Sequence, residues 1–487
     1  MNYQELKTLL AEGDFKKINE ALTSQVDQPE IDNLKKQWDV TKHNIFDYGK
    51  RPDRTVMYED PDKKDADGNP VIEKRIESVS RIPVPFQKAI VSKAVSFLFG
   101  NPVNVTAQTT NEKEQIALSS ILKIWEDNKL DSQNRMVARQ LFRSKQVCEI
   151  WYPIELEDRQ DVYGIKSKFR LRMSVFSPWD DSILYPYFDD YGDMIAFCRS
   201  YKVKGTDGKN IECFDVFTAD VIQKWRKGGP ESENSDWTVE TTENIIKKIP
   251  VVYADQEQAE WQDVQYAIER LETLLSNHAD TNDYNGSPTV VAKGNILSIG
   301  KKGEQGKLLE IEEGGDVKYL SWDHAPESVK MEIENLFRII YAFTQTPDIS
   351  FESVKGISSI SGIALKLLFM DAHLKVKEKQ EIFDSYLTRR INILKAFLSK
   401  MDTANAEVYK NLIVTCKIKP FIIEDIKEVI ESLVNASGGK ALISQKTAIR
   451  EAGFVSNAED EYKRIRVEET EAMSFSVTEN GELGSNE

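Results

Sequence analysis

The chain has 487 residues, of which 64 are basic and 80 acidic, for a net charge of −16 and an isoelectric point near 5.1. That length buries a substantial core and fits roughly two to four domains. The acid excess argues against a protein whose whole surface grips nucleic acid, because phosphate binding needs local positive charge. It does not exclude a conduit along which a polyanion slides without being held, and acidity that simply keeps a protein soluble is the plainer reading.

Four cysteines, Cys148, Cys198, Cys213 and Cys416, stand far apart with no Cys-x-x-Cys pair. Neither a disulfide framework nor a zinc knuckle is signalled. Residues 1–7 lack a basic start followed by an apolar core, so no secretory signal is expected. The best apolar run, residues 89–99, is too short for a bilayer and is interrupted by Lys93.

In chain order, a polar helical start leads into a charged insertion at residues 58–73. Aligning its Gly68 to the turn glycine of a calcium loop puts Lys63 and Lys74 where carboxylates are needed, so a hairpin turn is expected instead. Pro85 opens a helix through Phe99, which Gly100 and Pro102 terminate. Helical stretches at 112–128 and 132–144 follow, then strand-like runs at 147–153, 169–176, 182–187, 194–203 and 212–218. The acid cluster Asp189, Asp190 and Asp193 around Gly192 reads as a solvated hairpin turn rather than a metal site. This block has the pattern of an α+β body.

Residues 249–253 close the sheet region, and from Gln256 the period becomes helical. Val264, Ile268, Leu271 and Leu275 form its apolar stripe, with Glu269, Arg270 and Glu272 marking exposed positions. Strand runs at 289–292 and 317–321 flank a glycine-lysine tip at 300–307, a pattern shared by plain surface turns. A helix over 327–343, with Val329, Ile333, Leu336, Ile340 and Phe343 as its stripe, is expected to end at Pro347.

A serine-rich connector then runs from Thr346 to Lys366, with Gly356 at its middle and Ser361 placed to cap the next helix. Such a connector is either a mobile surface loop or a polar loop projected towards a polyanion. The helix after it, from Ser361 to about Lys400, would be roughly 55–60 Å long if straight. Its eight basic and four acidic residues read as a solvated face. One strand at 414–420 and two or three helices over 422–466 complete the chain, and its last twenty residues are polar and expected to be disordered.

Chemical motifs are missing. A phosphate-cradling loop needs Gly-Lys-Ser/Thr, whereas Gly439-Lys440 is followed by Ala441 and Gly306-Lys307 by Leu308. The four histidines form no close pair, and no Gly-x-Ser-x-Gly elbow occurs. No catalytic residue, cofactor or metal ligand set is assigned.

Three stretches, in order, resemble the portal proteins of tailed double-stranded DNA bacteriophages, of the siphophage type. Residues 81–102, Arg-Ile-Pro-Val-Pro-Phe-Gln-Lys through Phe-Leu-Phe-Gly-Asn-Pro, are similar to the early helix of that family, which ends in a Gly-x-Pro turn. Ser361-Gly362-Ile363-Ala364-Leu365-Lys366 resembles the end of the tunnel loop and the start of the helix after it. Ile443-Ser444-Gln445-Lys446-Thr447, with Glu461-Tyr462-Lys463-Arg464-Ile465, resembles the helical C-terminal part.

The resemblance implies a mainly α-helical α+β portal fold with wing, stem, clip and crown regions, assembled as a homo-oligomeric ring of about twelve copies around a channel. It places an N-terminal wing at 1–255, a first stem helix at 256–284, the clip at 285–323 and a second stem helix at 324–345. A tunnel loop follows at 346–361, then a long helix and returning wing strand at 362–420, a helical crown at 421–470 and an acidic tail at 471–487.

Asp348, Ser350, Glu352, Ser353, Lys355, Gly356, Ser358 and Ser359 would line the channel. Lys301, Lys302 and Lys307 of the clip would face the terminase large subunit and then a head-completion adaptor. Implied partners also include double-stranded DNA, the major capsid protein and a scaffold protein, with no membrane, at a capsid vertex assembled in the bacterial cytoplasm. The alternatives are a cytoplasmic nucleic-acid-processing enzyme with an unmotifed site and a minor capsid or scaffold protein without a channel.

Overall fold

The computed structural model describes the chain except residues 26–27, 29, 66–67, 69, 206–207, 228–235, 286–288, 294–295, 300–308, 312–315, 321–325, 349–366, 368, 422–425, 456–457 and 482–487. Two units are distinguished, Met1–Asp348 with Asp371–Phe421, and Ile349–Met370 with Ile422–Glu487. Helix is about twice as abundant as strand, 51% against 26%, which makes the fold α+β and mainly helical.

The first unit opens with helices α1 (Tyr3–Glu12), α2 (Phe15–Thr23) and α3 (Ile31–Trp38), then an isolated antiparallel hairpin of β1 (Arg54–Lys64) and β2 (Pro70–Glu77). The charged insertion is thus a hairpin, as its sequence suggests. Helix α4 (Phe86–Phe99), strand β3 (Asn104–Ala107) and helices α5 (Glu112–Asp127) and α6 (Leu130–Ser144) follow.

Strands β4 (Gln146–Val162) and β5 (Ile165–Phe176) form a long hairpin. Next come β6 (Ile183–Phe188), β7 (Met194–Lys204), β8 (Asn210–Thr218), β9 (Val221–Lys227), β10 (Trp237–Glu243) and β11 (Val251–Asp255). The last two meander strands, β9 and β10, are absent from the sequence expectation.

These strands make two sheets, one of five strands ordered β10-β9-β8-β7-β6 and one of three ordered β11-β4-β5. Period-two alternation sorts the side chains. Ala196, Cys198, Phe214 and Val216 face Leu6, Leu10, Ile18 and Leu22 of α1 and α2. The intervening Phe197 and Phe217 join Leu184 against Cys148, Ile150 and Val251 of the second sheet. Between β6 and β7 the acid cluster is a turn. Asp189 Oδ1 accepts the Tyr191 and Asp193 amide protons, each at 2.9 Å, and Gly192 supplies the positive φ of 85°.

Helix α7 (Gln265–Asn285) starts nine residues later than its periodicity suggests. The reason is that the preceding backbone is engaged elsewhere, Gln256 N–H donating to the Lys145 carbonyl at 2.9 Å and Glu260 N–H to the Phe142 carbonyl at 3.0 Å. Glu272, expected on the exposed face, is buried. It accepts the Val84 amide proton at 2.8 Å and lies 2.6 Å from His43 Nδ1, partners that replace the water it gives up.

Beyond α7, β12 (Thr289–Lys293) pairs with β15 (Asp316–Leu320), and β13 (Ile296–Ile299) with β14 (Leu309–Ile311). Then come α8 (Pro326–Phe343), α9 (Met370–Met401), a short α10 (Ala406–Asn411) and β16 (Val414–Lys417), which pairs with β3. Phe369 forms a turn, so the long helix is not continuous from Ser361, which itself lies outside the described residues.

The second unit contains α11 (Ile426–Ser437), α12 (Gln445–Ala452) and α13 (Ala458–Gly481). Ser444 caps α12 by accepting the Thr447 amide proton, and Gly453, with φ of 69°, ends it. Helix α13 extends to Gly481, into the stretch expected to form the acidic tail. It has no proline, and ion pairs at three-residue spacing, Arg464 with Glu461 and Arg466 with Glu469, support its first half.

Candidate functional site

Of the connector residues expected to line a channel, Asp348 is described, while Ser350, Glu352, Ser353, Lys355, Gly356, Ser358 and Ser359 lie outside the described residues. Lys301, Lys302 and Lys307 do so as well. The structure does describe the root by which the connector leaves α8, residues Thr344 to Asp348.

At the end of α8, Thr346 N–H donates to the Tyr341 carbonyl at 2.9 Å and Gln345 N–H to the Ala342 carbonyl at 3.1 Å. This pair of bonds is a Schellman closure, which needs a left-handed residue at the position glycine usually fills. Gln345 occupies it, with φ of 49°. Helix α8 therefore stops by its own backbone closure, and Pro347 follows the stop instead of making it. Thr344 and Thr346 are buried. Thr344 Oγ1 donates to the Ile340 carbonyl at 2.6 Å and lies 2.9 Å from Thr346 Oγ1.

Two other helices reach this root with lysines. Lys375 of α9 donates to the Thr344 carbonyl at 2.9 Å, and Lys93 of α4 donates to the Pro347 carbonyl at 2.8 Å. A cation suits the negative carbonyl end of a helix. Lys93 also lies over the Tyr341 ring, 5.0 Å from its centre. Burial pushes the Lys93 pKa down, and the charge of Asp348 acts in the opposite sense.

Behind Lys375, the buried Glu260 carboxylate pairs with Lys375 at 2.5 Å and with Lys379 at 2.9 Å. Burial pushes the Glu260 pKa up, but the two lysine charges outweigh it and hold the carboxyl below its ordinary range. The result is a clamp of three lysines and one carboxylate around a turn of buried backbone.

The same long helix is fixed further along. Arg390 and Glu149 are both fully buried and meet at 2.5 Å. Tyr386 Oη donates to Glu149 at 3.1 Å, the Trp151 indole N–H donates to it as well, and Arg390 Nη1 donates to Asn134 Oδ1 at 2.6 Å. Arg389 and Lys395 donate to the Ile249 and Leu412 carbonyls at 3.2 and 2.7 Å. The expected solvated basic face is thus corrected. On α9, Lys377 and Lys400 are exposed, while Lys375, Lys379, Arg389, Arg390 and Lys395 are wholly or partly inside, satisfying carbonyls and carboxylates.

The sequence reading did not assign Lys93, Glu260, Thr344, Thr346, Lys375 or Lys379. Two signals were present, a lysine inside the apolar run 89–99 and a Lys375/Lys379 pair one helical turn apart. Among the described residues no cluster of three or more His, Cys, Asp or Glu is placed to hold a metal ion. Among them, too, no helix is long and apolar enough to cross a membrane.

A family model described as phage portal protein, SPP1 Gp6-like, matches residues 25–474. No curated protein matches the chain. Among solved structures, the neck of an empty GTA particle computed with C6 symmetry is similar at 11% identity and a TM-score of 0.40, covering 77% of this chain and 91% of that one. The neck of a native GTA particle computed with C12 symmetry is similar at 10% identity and a TM-score of 0.35, covering 76% and 89%.

Proposed function

This chain belongs to the phage portal protein family of the SPP1 Gp6-like type, and from that membership we propose that it forms a ring-shaped DNA channel at one vertex of a capsid. The observation that carries the reading is the family match over residues 25–474. The family is structural rather than enzymatic. The ring, of about twelve copies, admits double-stranded DNA while a terminase motor is docked, retains it, and releases it through a head-completion adaptor.

In this reading residues 1–255 form the wing, α7 and α8 the two stem helices, residues 285–323 the clip and residues 421–470 the crown. The clip lysines Lys301, Lys302 and Lys307 face terminase and later the adaptor. The connector is the tunnel loop, with Asp348, Ser350, Glu352, Ser353, Lys355, Gly356, Ser358 and Ser359 lining the channel. The clamp at its root supports the reading, because a loop that meets moving DNA needs a fixed point of attachment.

Negative-stain electron microscopy of the purified chain, with its mass in solution, tests the proposal. The expected result is a ring with a central hole. A chain that stays monomeric both alone and when co-expressed with its capsid and scaffold proteins overturns it.

A further inference from the structure

Two backbone carbonyls of the connector root, Thr344 and Pro347, each accept a hydrogen bond from a lysine on a different helix. A buried carbonyl at a helix end needs a partner, and ammonium donors are stronger than neutral ones. Both lysines are also engaged outside the connector. Lys375 is oriented by Glu260, which Lys379 shares, and Lys93 is seated against the Tyr341 ring. The segment between the two carbonyls contains a glutamine in the left-handed region, a conformation that is unfavourable outside glycine. Such a conformation persists where its surroundings over-determine it.

We propose that Lys93 and Lys375 are positioning residues for the tunnel loop, fixing its root, Thr344 to Asp348, to α4 and α9. This rests on the channel reading for the loop's role, but the clamp itself does not. Glu260 acts one step further back, holding Lys375 in line with the Thr344 carbonyl. Lys93 and Lys375 act through the loop backbone and are not assigned a contact with DNA.

The test combines amide hydrogen exchange on the assembled full-length protein with packaged-DNA yield in particles, for Lys93→Met, Lys375→Met and Lys93→Arg. The methionine variants keep the apolar stem and remove the donor. Exchange of the Gln345 and Thr346 amides is expected to rise roughly tenfold or more, with exchange in α5 and α6 unchanged and packaged DNA reduced. Lys93→Arg, which keeps a cationic donor, is expected to restore both.

Unchanged exchange at the root in both methionine variants overturns the clamp, whatever the DNA yield. Raised exchange with full DNA yield, while Lys355→Glu lowers that yield, overturns the positioning role and leaves the channel standing. Raised exchange with full yield in all variants, Lys355→Glu included, overturns the positioning role together with the loop's part in the channel. Because the two lysines lie on different helices, a variant that loses protection throughout is set aside and the other is read.

Discussion

Glu260 shows how a single carboxylate is made dependable inside this fold. Its carboxyl is buried, which alone would favour the neutral form, but Lys375 and Lys379 at 2.5 and 2.9 Å outweigh that and lower its pKa from the ordinary 4.5. A carboxyl with a folded pKa below its unfolded one contributes stability above the unfolded value and loses it as pH falls through the folded value. Glu260 therefore contributes fully above about pH 4.5, and its contribution fades only in more acidic solution. In Glu260→Gln the two lysines remain buried without a counter-charge, a costly arrangement. Urea midpoints of the wild type should exceed those of the variant at pH 6, and the gap should narrow as pH falls below 4.5. A gap that widens on acidification would contradict the assignment.

At the scale of elements, the end of α4 is where the returning chain is fastened. Strand β16 pairs with β3, Asn101 Nδ2 donates to the Pro420 carbonyl at 3.1 Å, and Phe421 N–H donates to the Phe97 carbonyl at 2.9 Å. Gly100 was legible as a helix stop, yet its φ of −65° is ordinary and what it supplies is room. A Cβ there would run into the Ser96 carbonyl and stand 3.0 Å from Phe421 Cβ. Gly100→Ala should cost about 1–3 kcal/mol through overpacking, read as a lower urea midpoint with an unchanged denaturant slope. A neutral or stabilising substitution would show that the returning segment is not packed on this helix end.

Elements like α4, α5 and β7 were legible because their period and punctuation are local. Strands β9 and β10 were not, since Val221–Lys227 carries Lys224, Arg226 and Lys227, Trp237–Glu243 carries Glu240 and Glu243, and β10 is an exposed edge. The root clamp was illegible for another reason. Lys93, Glu260, Thr344 and Lys375 are separated by some thirty to about 280 positions and meet only through tertiary packing.

For the whole molecule, charge decides how a channel built from this chain treats DNA. At −16 per subunit, a ring of about twelve copies carries on the order of −200 charges, so DNA is repelled overall and any hold must be local. Between Pro347 and Ala364 the sequence has one basic residue, Lys355, set between the acids Asp348 and Glu352 and a run of serines. If Lys355 lines the proposed channel, its repetition around a ring would make a cationic collar, weak per contact and sensitive to salt. A weak collar suits a conduit, because a tight one would stall the DNA it is meant to pass. Lys355→Glu replaces the collar with a further ring of acid while leaving the clamp at the root intact. The variant should form rings of normal size and mass but yield particles with less packaged DNA, and the deficit should shrink as added salt screens the acid ring. Packaged-DNA yield equal to wild type would remove Lys355 from the mechanism and leave retention to some other part of the channel.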